Sequence, residues 1–246
     1  MSTRVAVVGA TGKMGALAIR LIEQSDDFEV AARISSRDSL DAIAGADVVL
    51  DVTVPAASPG VVEAALGHGA SVLVGTSGWT ADRIAPVAKR LAATPELAVV
   101  IIPNFSLGSV LATRFAALAA PYFDSIEIIE AHHAGKVDSP SGTAIRTAEL
   151  IGAAREGIGP VVAPHADQRA RGQQVASVPI HSLRLGGVLA QQEVVFGGVG
   201  ETLSVRHVTT SDASYEAGIL LGLRAARDTT GLTVGLDSLL DLGGAE

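Results

Sequence analysis

Through the first hundred residues, short runs of β-branched and aliphatic side chains alternate with longer stretches rich in alanine and leucine. The short runs fall at Arg4–Val8, Asp47–Val52, Ser71–Val74 and Ala98–Ile102, with a weaker one at Glu29–Ile34. Stretches of helical length lie between them, at Gly15–Gln24, Ala57–His68 and Thr80–Ala93. Strands that alternate with helices predict a parallel sheet covered on both faces. The runs are apolar at successive positions rather than at every second one, as strands buried on both sides require.

After Asn104 the pattern changes. Ser106–Ala120 and Thr143–Arg155 read as helices and Ser125–His133 as a strand. Gly157–Val175 is rich in Pro, Gly, Arg and polar residues and reads as a long loop. Three strand-like runs follow with no helix between them, Ser177–Leu185, Ala190–Phe196 and Glu201–Thr209, before a helix at Ala213–Arg227 and a short tail. Strand after strand predicts a mixed or antiparallel sheet, hence a second domain of α+β type.

Composition limits the chemistry. Of 246 residues, 48% are hydrophobic but only 3% aromatic, so the core is built from Ala, Val, Leu and Ile. The net charge of −8 argues against a general nucleic-acid or anionic-membrane surface, which needs a basic footprint. With no cysteine, disulfides, thiolate catalysis and cysteine-ligated metal are excluded. No apolar run reaches the ~18–20 residues of a membrane span. The opening MSTRVAVVGA passes straight into the first strand, so no signal peptide is expected and a cytoplasmic protein is the expectation.

Gly9-Ala10-Thr11-Gly12-Lys13-Met14-Gly15 lies between the first strand and the first helix. Glycines there let the backbone turn tightly and approach a pyrophosphate, while the helix N-terminus offers N–H donors and partial positive charge. The alternative is a purely structural turn. In a doubly wound sheet the ligand lies beyond the carboxyl ends of the strands. Those ends carry Arg33-Ile34-Ser35-Ser36-Arg37, Val52-Thr53-Val54-Pro55, Gly75-Thr76-Ser77-Gly78 and Pro103-Asn104-Phe105-Ser106. At the second strand an Asp or Glu suits the ribose of NAD, whereas an Arg suits the 2′-phosphate of NADP. Arg33 and Arg37 stand there with no acid before Asp38, which favours NADPH over NADH; solvated surface arginines are the alternative.

The stretch EAHHAGKVDSPSGTA, residues 130 to 144, gathers His132, His133 and Lys136 just before a helix start. Adjacent strand residues point to opposite faces, so both histidines reach one pocket only if the strand ends there. Metal binding needs further ligands, and Glu130 is the only nearby candidate; no metal is expected. Ser139-Pro140-Ser141-Gly142-Thr143 supplies N-cap serines and a first-turn proline. Its N–H donors with Lys136 form a receptor for a carboxylate or phosphate. A histidine beside it can give a proton near neutral pH. An ordinary capped helix with solvated or core histidines is the alternative.

These two sites together resemble the 4-hydroxy-tetrahydrodipicolinate reductase (dihydrodipicolinate reductase) family, whose pattern E-x-H-H-x-x-K-x-D-x-P-S-G-T-A is present as Glu130 to Ala144. The likeness extends through GATGKMG, GTSGW, PNFSLG, RARG, IHSLRLGG, QQEVVFGGVGETLSVRH and the ending GLTVGLDSLLDL, and the compact length is similar to the actinobacterial branch. The resemblance implies an α/β chain with an N-terminal Rossmann-like parallel-sheet dinucleotide-binding domain (1–104 and 213–246). It implies a second, α+β domain with a mixed sheet for substrate binding and tetramerisation (105–212). It implies NAD(P)H-dependent reduction of a small dicarboxylate in lysine and diaminopimelate biosynthesis, by a homotetramer. His132 is then the proton donor and Lys136 its assistant. His133 and the Ser141-Gly142-Thr143 turn hold the substrate carboxylates. Gly9 to Met14, Gly75 to Ser77 and Ile102 to Phe105 touch the cofactor. The chain departs from the family pattern at Arg33, Val54 and Asp212, the last standing where an arginine is usual. Two alternatives stay open: a related reductase of another small imino acid, which Asp212 motivates, and a catalytically silent NADP(H) sensor.

Overall fold

A computed structural model describes residues 2–241. Met1 and residues 242–246, with the final leucine of GLTVGLDSLLDL and the outermost ends of the expected first domain, lie outside the described residues. The elements follow in the order β1 (Thr3–Val8), α1 (Lys13–Glu23), β2 (Phe28–Ile34), β3 (Val48–Asp51), α2 (Ser58–Gly67), β4 (Ser71–Val74), α3 (Ala81–Leu91), β5 (Ala98–Ile101) and α4 (Leu107–Ala119). The chain continues with β6 (Ser125–His133), α5 (Gly142–Ala154), β7 (Gln173–Val175), β8 (Val178–Leu185), β9 (Ala190–Gly198), β10 (Glu201–Thr209), α6 (Glu216–Asp228) and β11 (Gly231–Val234). It divides into two compact units, one of residues up to Leu107 and from Tyr215 onward, the other Gly108–Ser214. The divisions lie at 107/108 and 214/215, against 104/105 and 212/213 in the sequence reading.

The first unit is built on a six-stranded parallel sheet of order β11-β5-β4-β3-β1-β2. Every residue of β3, β4 and β5 is buried, which is why their sequences show no alternation. α1 and α6 pack on one face and α2 and α3 on the other. Val72, Val74, Val99 and Ile101 face the α2/α3 side, where they meet Val61, Ala65, Leu66, Val87 and Leu91. α1 buries Leu17, Ala18, Leu21 and Ile22, spaced as one helical stripe. α3 carries Asp82 in its first turn and Lys89 and Arg90 in its last, the charge order that complements the helix dipole.

The second unit holds a five-stranded mixed sheet of order β10-β9-β6-β8-β7. β6 and β8 run parallel, while β6–β9, β9–β10 and β7–β8 are antiparallel. α5 lies on one face, burying Ala144, Ala148 and Ile151 against Ile126, Ile128, Ile180, Val194 and Phe196. On the opposite face Leu183, Leu185 and Val208 are exposed.

Three segments differ from the sequence reading. The tail contains β11, which pairs in parallel with β5 from Gly231↔Ala98 to Val234↔Ile101. A four-residue run opened by glycine is too short to show periodicity, and its partner supplies the register. The expected loop Gly157–Val175 ends in β7, a largely exposed three-residue edge strand whose Gln-Gln sequence lacks an apolar alternation. Asp212–Tyr215 is a 3₁₀ turn, so α6 starts three residues later than the expected Ala213. No described helix is long and apolar enough to cross a membrane.

Candidate active site

In the first sheet the chain order reverses between β1 and β3, which makes the carboxyl ends of those strands the switch point where such sheets take ligands. Gly9, directly after β1, has φ +93°, and a Cβ there would come within 2.5 Å of the Val52 carbonyl oxygen. Gly15 packs on the Gly9 carbonyl with no room for a side chain. The N–H groups of Gly9 and Ala10 both donate to Ile34 O, at 2.9 and 3.1 Å, tying the loop to β2. Gly12 is the N-cap of α1 and provides no side-chain cap, so the first-turn amides have no intrahelical partner. Thr11, Gly12 and Lys13 are exposed, whereas Ala10 and Met14 are half-buried. An exposed, uncapped helix start behind a glycine turn fits a pyrophosphate.

The neighbouring loops are organised from inside by Asp51, the fully buried last residue of β3. Its Oδ1 accepts from Thr53 N–H (3.0 Å), Thr53 Oγ1 (2.6 Å) and Thr76 Oγ1 (3.1 Å). Its Oδ2 accepts from Ser58 Oγ at the start of α2, and Ser58 Oγ in turn accepts from Trp79 Nε1 at 3.0 Å. The hydroxyls of Thr53 and Thr76 therefore point into the protein, while Ser77 beside them is exposed. Gly75 lies against the Phe105 ring and Ile102 donates its N–H to Val74 O at 2.8 Å. Pro103 is exposed, and Asn104 Oδ1 accepts from Ser106 N–H at 2.9 Å. These loops consequently offer outward mainly their backbones.

At the end of β2, Arg33 pairs with Glu23 on α1. Arg37 is exposed and its guanidinium has no partner among the described residues. Asp38 turns back so that its Oδ2 accepts from Ser35 N–H (2.8 Å) and Ser35 Oγ (2.6 Å). Those bonds lower its pKa.

The second unit assembles a different group on β6. Strand pairing continues through His133↔Leu185, so the alternation holds to the end and the two histidines lie on opposite faces. His133 is exposed, with its ring beside Gly135. His132 shares a face with Glu130, and His132 Nδ1 lies 2.5 Å from Glu130 Oε2. Glu130 is fully buried. Arg184 on the parallel neighbour β8 grips both of its oxygens at 3.0 Å, and Ser141 N–H reaches Oε1 at 3.3 Å. Arg184 also donates to the Asp138 carbonyl at 2.5 Å. Lys136, half-buried, pairs with Asp138 Oδ1 at 2.7 Å, and its N–H closes a turn onto His133 O at 3.0 Å. Ser141 is the N-cap of α5, its Oγ accepting from Ala144 N–H at 3.2 Å. Gly142 is exposed and Thr143 half-buried in the helix's first turn.

Electrostatics follow from these contacts. Burial raises the pKa of Glu130, but hydrogen bonds from Arg184, Ser182 and His132 outweigh it and the net shift is downward. Burial lowers the pKa of His132; Glu130 pushes it up, Lys136 and Arg184 push it down, and the result lies below the ordinary histidine value. The arrangement can deliver a proton from an imidazole beside a lysine and an N-terminal helix turn suited to an anion. Among the described residues no group of three or more His, Asp or Glu side chains forms a metal-ligand set.

Sequence reasoning missed Asp51 and Arg184. The first signal was an acid at the end of an otherwise apolar strand, and the second was an arginine within the strand-like IHSLRLGG.

A doubly wound parallel sheet with a glycine turn at its switch point, joined to a mixed-sheet unit bearing a His–Lys–carboxylate cluster, defines a two-domain Rossmann-type nicotinamide oxidoreductase. The family model "Dihydrodipicolinate reductase, N-terminus" matches residues 3–105, and "Dihydrodipicolinate reductase, C-terminus" matches 108–240. A 4-hydroxy-tetrahydrodipicolinate reductase of Clavibacter michiganensis subsp. michiganensis is 60% identical over 245 residues, spanning 100% of this chain and 88% of that protein. One from Streptomyces avermitilis is 48% identical, spanning 97% of this chain and 98% of that protein. The dipicolinate-bound dihydrodipicolinate reductase from Paenisporosarcina sp. TG-14 superposes with a TM-score of 0.84 at 29% identity, covering 98% of this chain and 100% of that one. The chain belongs to the dihydrodipicolinate reductase family. The myo-inositol 2-dehydrogenase of Lactobacillus plantarum (TM-score 0.61, 13% identity, 97% of this chain and 93% of that one) shares the fold alone.

Proposed function

We propose that this protein is the NAD(P)H-dependent reductase of 4-hydroxy-tetrahydrodipicolinate, forming tetrahydrodipicolinate for lysine and diaminopimelate synthesis. The observation that carries the reading is the cluster at the start of α5. There His132 is backed by a buried carboxylate, with Lys136 and an N-terminal helix turn alongside. The substrate is a small cyclic dianion with a conjugated C=N. The protein's net charge of −8 opposes its approach, so local positive groups must hold it. Lys136 and the turn at Ser141, Gly142 and Thr143 bind one carboxylate side of the ring, and His133 binds at the periphery. The 4-hydroxyl and a neighbouring ring hydrogen leave as water, and bound NADPH or NADH would supply a hydride to the conjugated dihydro ring that results. His132 supplies the proton that quenches the electron-rich ring, and Lys136 stabilises the charge before it does so.

The first unit, 1–104 with 213–246 in the sequence reading, is the dinucleotide-binding domain, and 105–212 binds substrate and assembles the homotetramer. Gly9, Ala10, Thr11, Gly12, Lys13 and Met14 cradle the pyrophosphate, chiefly with backbone amides. The loops at Thr53, Gly75–Ser77 and Ile102–Phe105 complete the rim, with Thr53 and Thr76 acting through backbone because their hydroxyls serve Asp51. NADPH is preferred. Arg37 is available to a 2′-phosphate, and Arg33 needs only to leave an exposed ion pair, an interaction of small worth. Ser35 is engaged by Asp38, whose carboxylate at the end of β2 suits a ribose hydroxyl and lets NADH serve as well. The apolar side chains on the uncovered sheet face, Leu183, Leu185 and Val208, support assembly through the second unit in the cytoplasm.

The test is nicotinamide consumption with freshly generated 4-hydroxy-tetrahydrodipicolinate, compared with other small imino acids, using each cofactor. Oxidation of NADPH that depends on that substrate is expected. Turnover of a different imino acid alone, or tight nucleotide binding without consumption, would overturn the assignment.

A further inference from the structure

Glu130 is the most heavily partnered carboxylate of the second unit that the proposed reaction leaves without a task. It sits on β6 two residues before His132, on the same face, fully buried. Arg184 donates to both of its oxygens, and the N-cap Ser141 donates its backbone N–H to Oε1. An arginine and a backbone N–H can only donate. A carboxyl so surrounded is an ionised acceptor, and His132 Nδ1, 2.5 Å from Oε2, must therefore be the atom that carries hydrogen in that pair. A free neutral imidazole is under no such constraint, because either nitrogen can carry the proton.

We infer that Glu130, itself clamped by Arg184, is a positioning residue that fixes His132 as its Nδ1–H tautomer and so makes Nε2 the nitrogen that hands a proton to the substrate. The inference rests on the proposed role of His132 as proton donor. In the charged ring both nitrogens bear hydrogen. As the hydride reduces the substrate, the Nε2–H bond breaks and its proton goes to the ring atom that has gained electron density. The bonding pair stays on Nε2, leaving a neutral imidazole whose Nδ1–H remains on Glu130. Reprotonation from solvent at Nε2 resets the group without rotation of the ring. Arg184 extends the same constraint to the lysine loop, since its second contact is the Asp138 carbonyl and Asp138 holds Lys136. Proton donor, lysine and α5 N-cap thus share one anchor, assembled from β6, β8 and the turn before α5.

The deciding measurement is two-bond ¹H–¹⁵N correlation NMR of the histidine rings in the full-length wild-type protein, with His132 assigned by its loss in His132→Gln. Above its titration, His132 is expected to show a protonated Nδ1 and an unprotonated Nε2. A neutral Nε2–H ring would overturn the inference, whatever the protein's activity. In Glu130→Gln the Nδ1–H signature should be lost and turnover should fall about 10- to 100-fold, in the range of lost orienting partners at other sites, with nucleotide affinity unchanged. Unchanged turnover in a folded Glu130→Gln protein would also overturn it. Should that variant fail to fold, the wild-type spectrum still decides. Absence of turnover by the wild type would instead refute the reductase reading and leave the tautomer result standing.

Discussion

Each unit buries one carboxylate completely beside its candidate site, and the two are partnered in opposite ways. Asp51 receives hydrogen bonds from three hydroxyls and a backbone N–H, all neutral, with Ser58 tying it to the first residue of α2. Glu130 receives a guanidinium, an imidazole and a backbone N–H. Neutral donors fix the shape of two loops, and the positive end of a helix nearby tempers the buried charge. Cationic partners do something further: they place a titratable ring under a fixed carboxylate and so control where a proton sits. The first arrangement suits a surface that must hold a ligand still, the second a site that must exchange a proton with one.

The largest effect expected from breaking this division is at His132, the proposed proton donor. His132→Gln should lower turnover about 10²–10⁴-fold, the loss expected of a general acid, while nucleotide affinity measured by fluorescence titration stays at the wild-type value. Next comes Asp51→Asn, which keeps the shape but replaces an all-acceptor group with one that must also donate. Lost hydrogen bonds to a buried charge cost about 1.5–3 kcal/mol, so the thermal midpoint should fall. The Michaelis constant for nucleotide should rise several-fold, which steady-state kinetics would show. An unchanged nucleotide constant in the folded variant would reduce Asp51 to a structural role. A smaller change is expected from Arg33→Asp, which should move preference from NADPH towards NADH. Equal cofactor ratios before and after would mark Arg33 as surface paired with Glu23 and nothing more.

The smallest effect is on stability against pH. His132 and His207 both have pKa values lowered by burial. Their contribution is present above the unfolded-state value of about 6.5 and is lost as pH falls through the folded values, because the unfolded chain binds protons first. The slope is at most about 1.4 kcal/mol per pH unit for each ring. Denaturant titrations between neutral and mildly acid pH should show the decline, and His207→Gln should remove its share.

Residue chemistry alone revealed most of the first unit's plan. β3, β4 and β5 are apolar at every position because both faces are covered, and the glycine turn is readable because only glycine tolerates the φ of Gly9 and the approach of Gly15. β7 and β11 were hidden because short edge strands take their register from a neighbour, which no local pattern encodes. The alternation along β6 put Glu130 and His132 on one face, and that much was legible. Arg184, 54 residues from Glu130 in the chain, was not, since parallel pairing joins distant segments. The arginines at the end of β2 were visible as charges, but the pairing of Arg33 with Glu23 depends on how α1 lies over β2.

The division of labour between the two carboxylates is tested most directly by turnover at saturating nucleotide in Asp51→Asn and Glu130→Gln proteins side by side. Excess nucleotide is expected to restore Asp51→Asn to near wild-type turnover and to leave Glu130→Gln about 10- to 100-fold slow. Restoration of both, or of neither, would contradict that division.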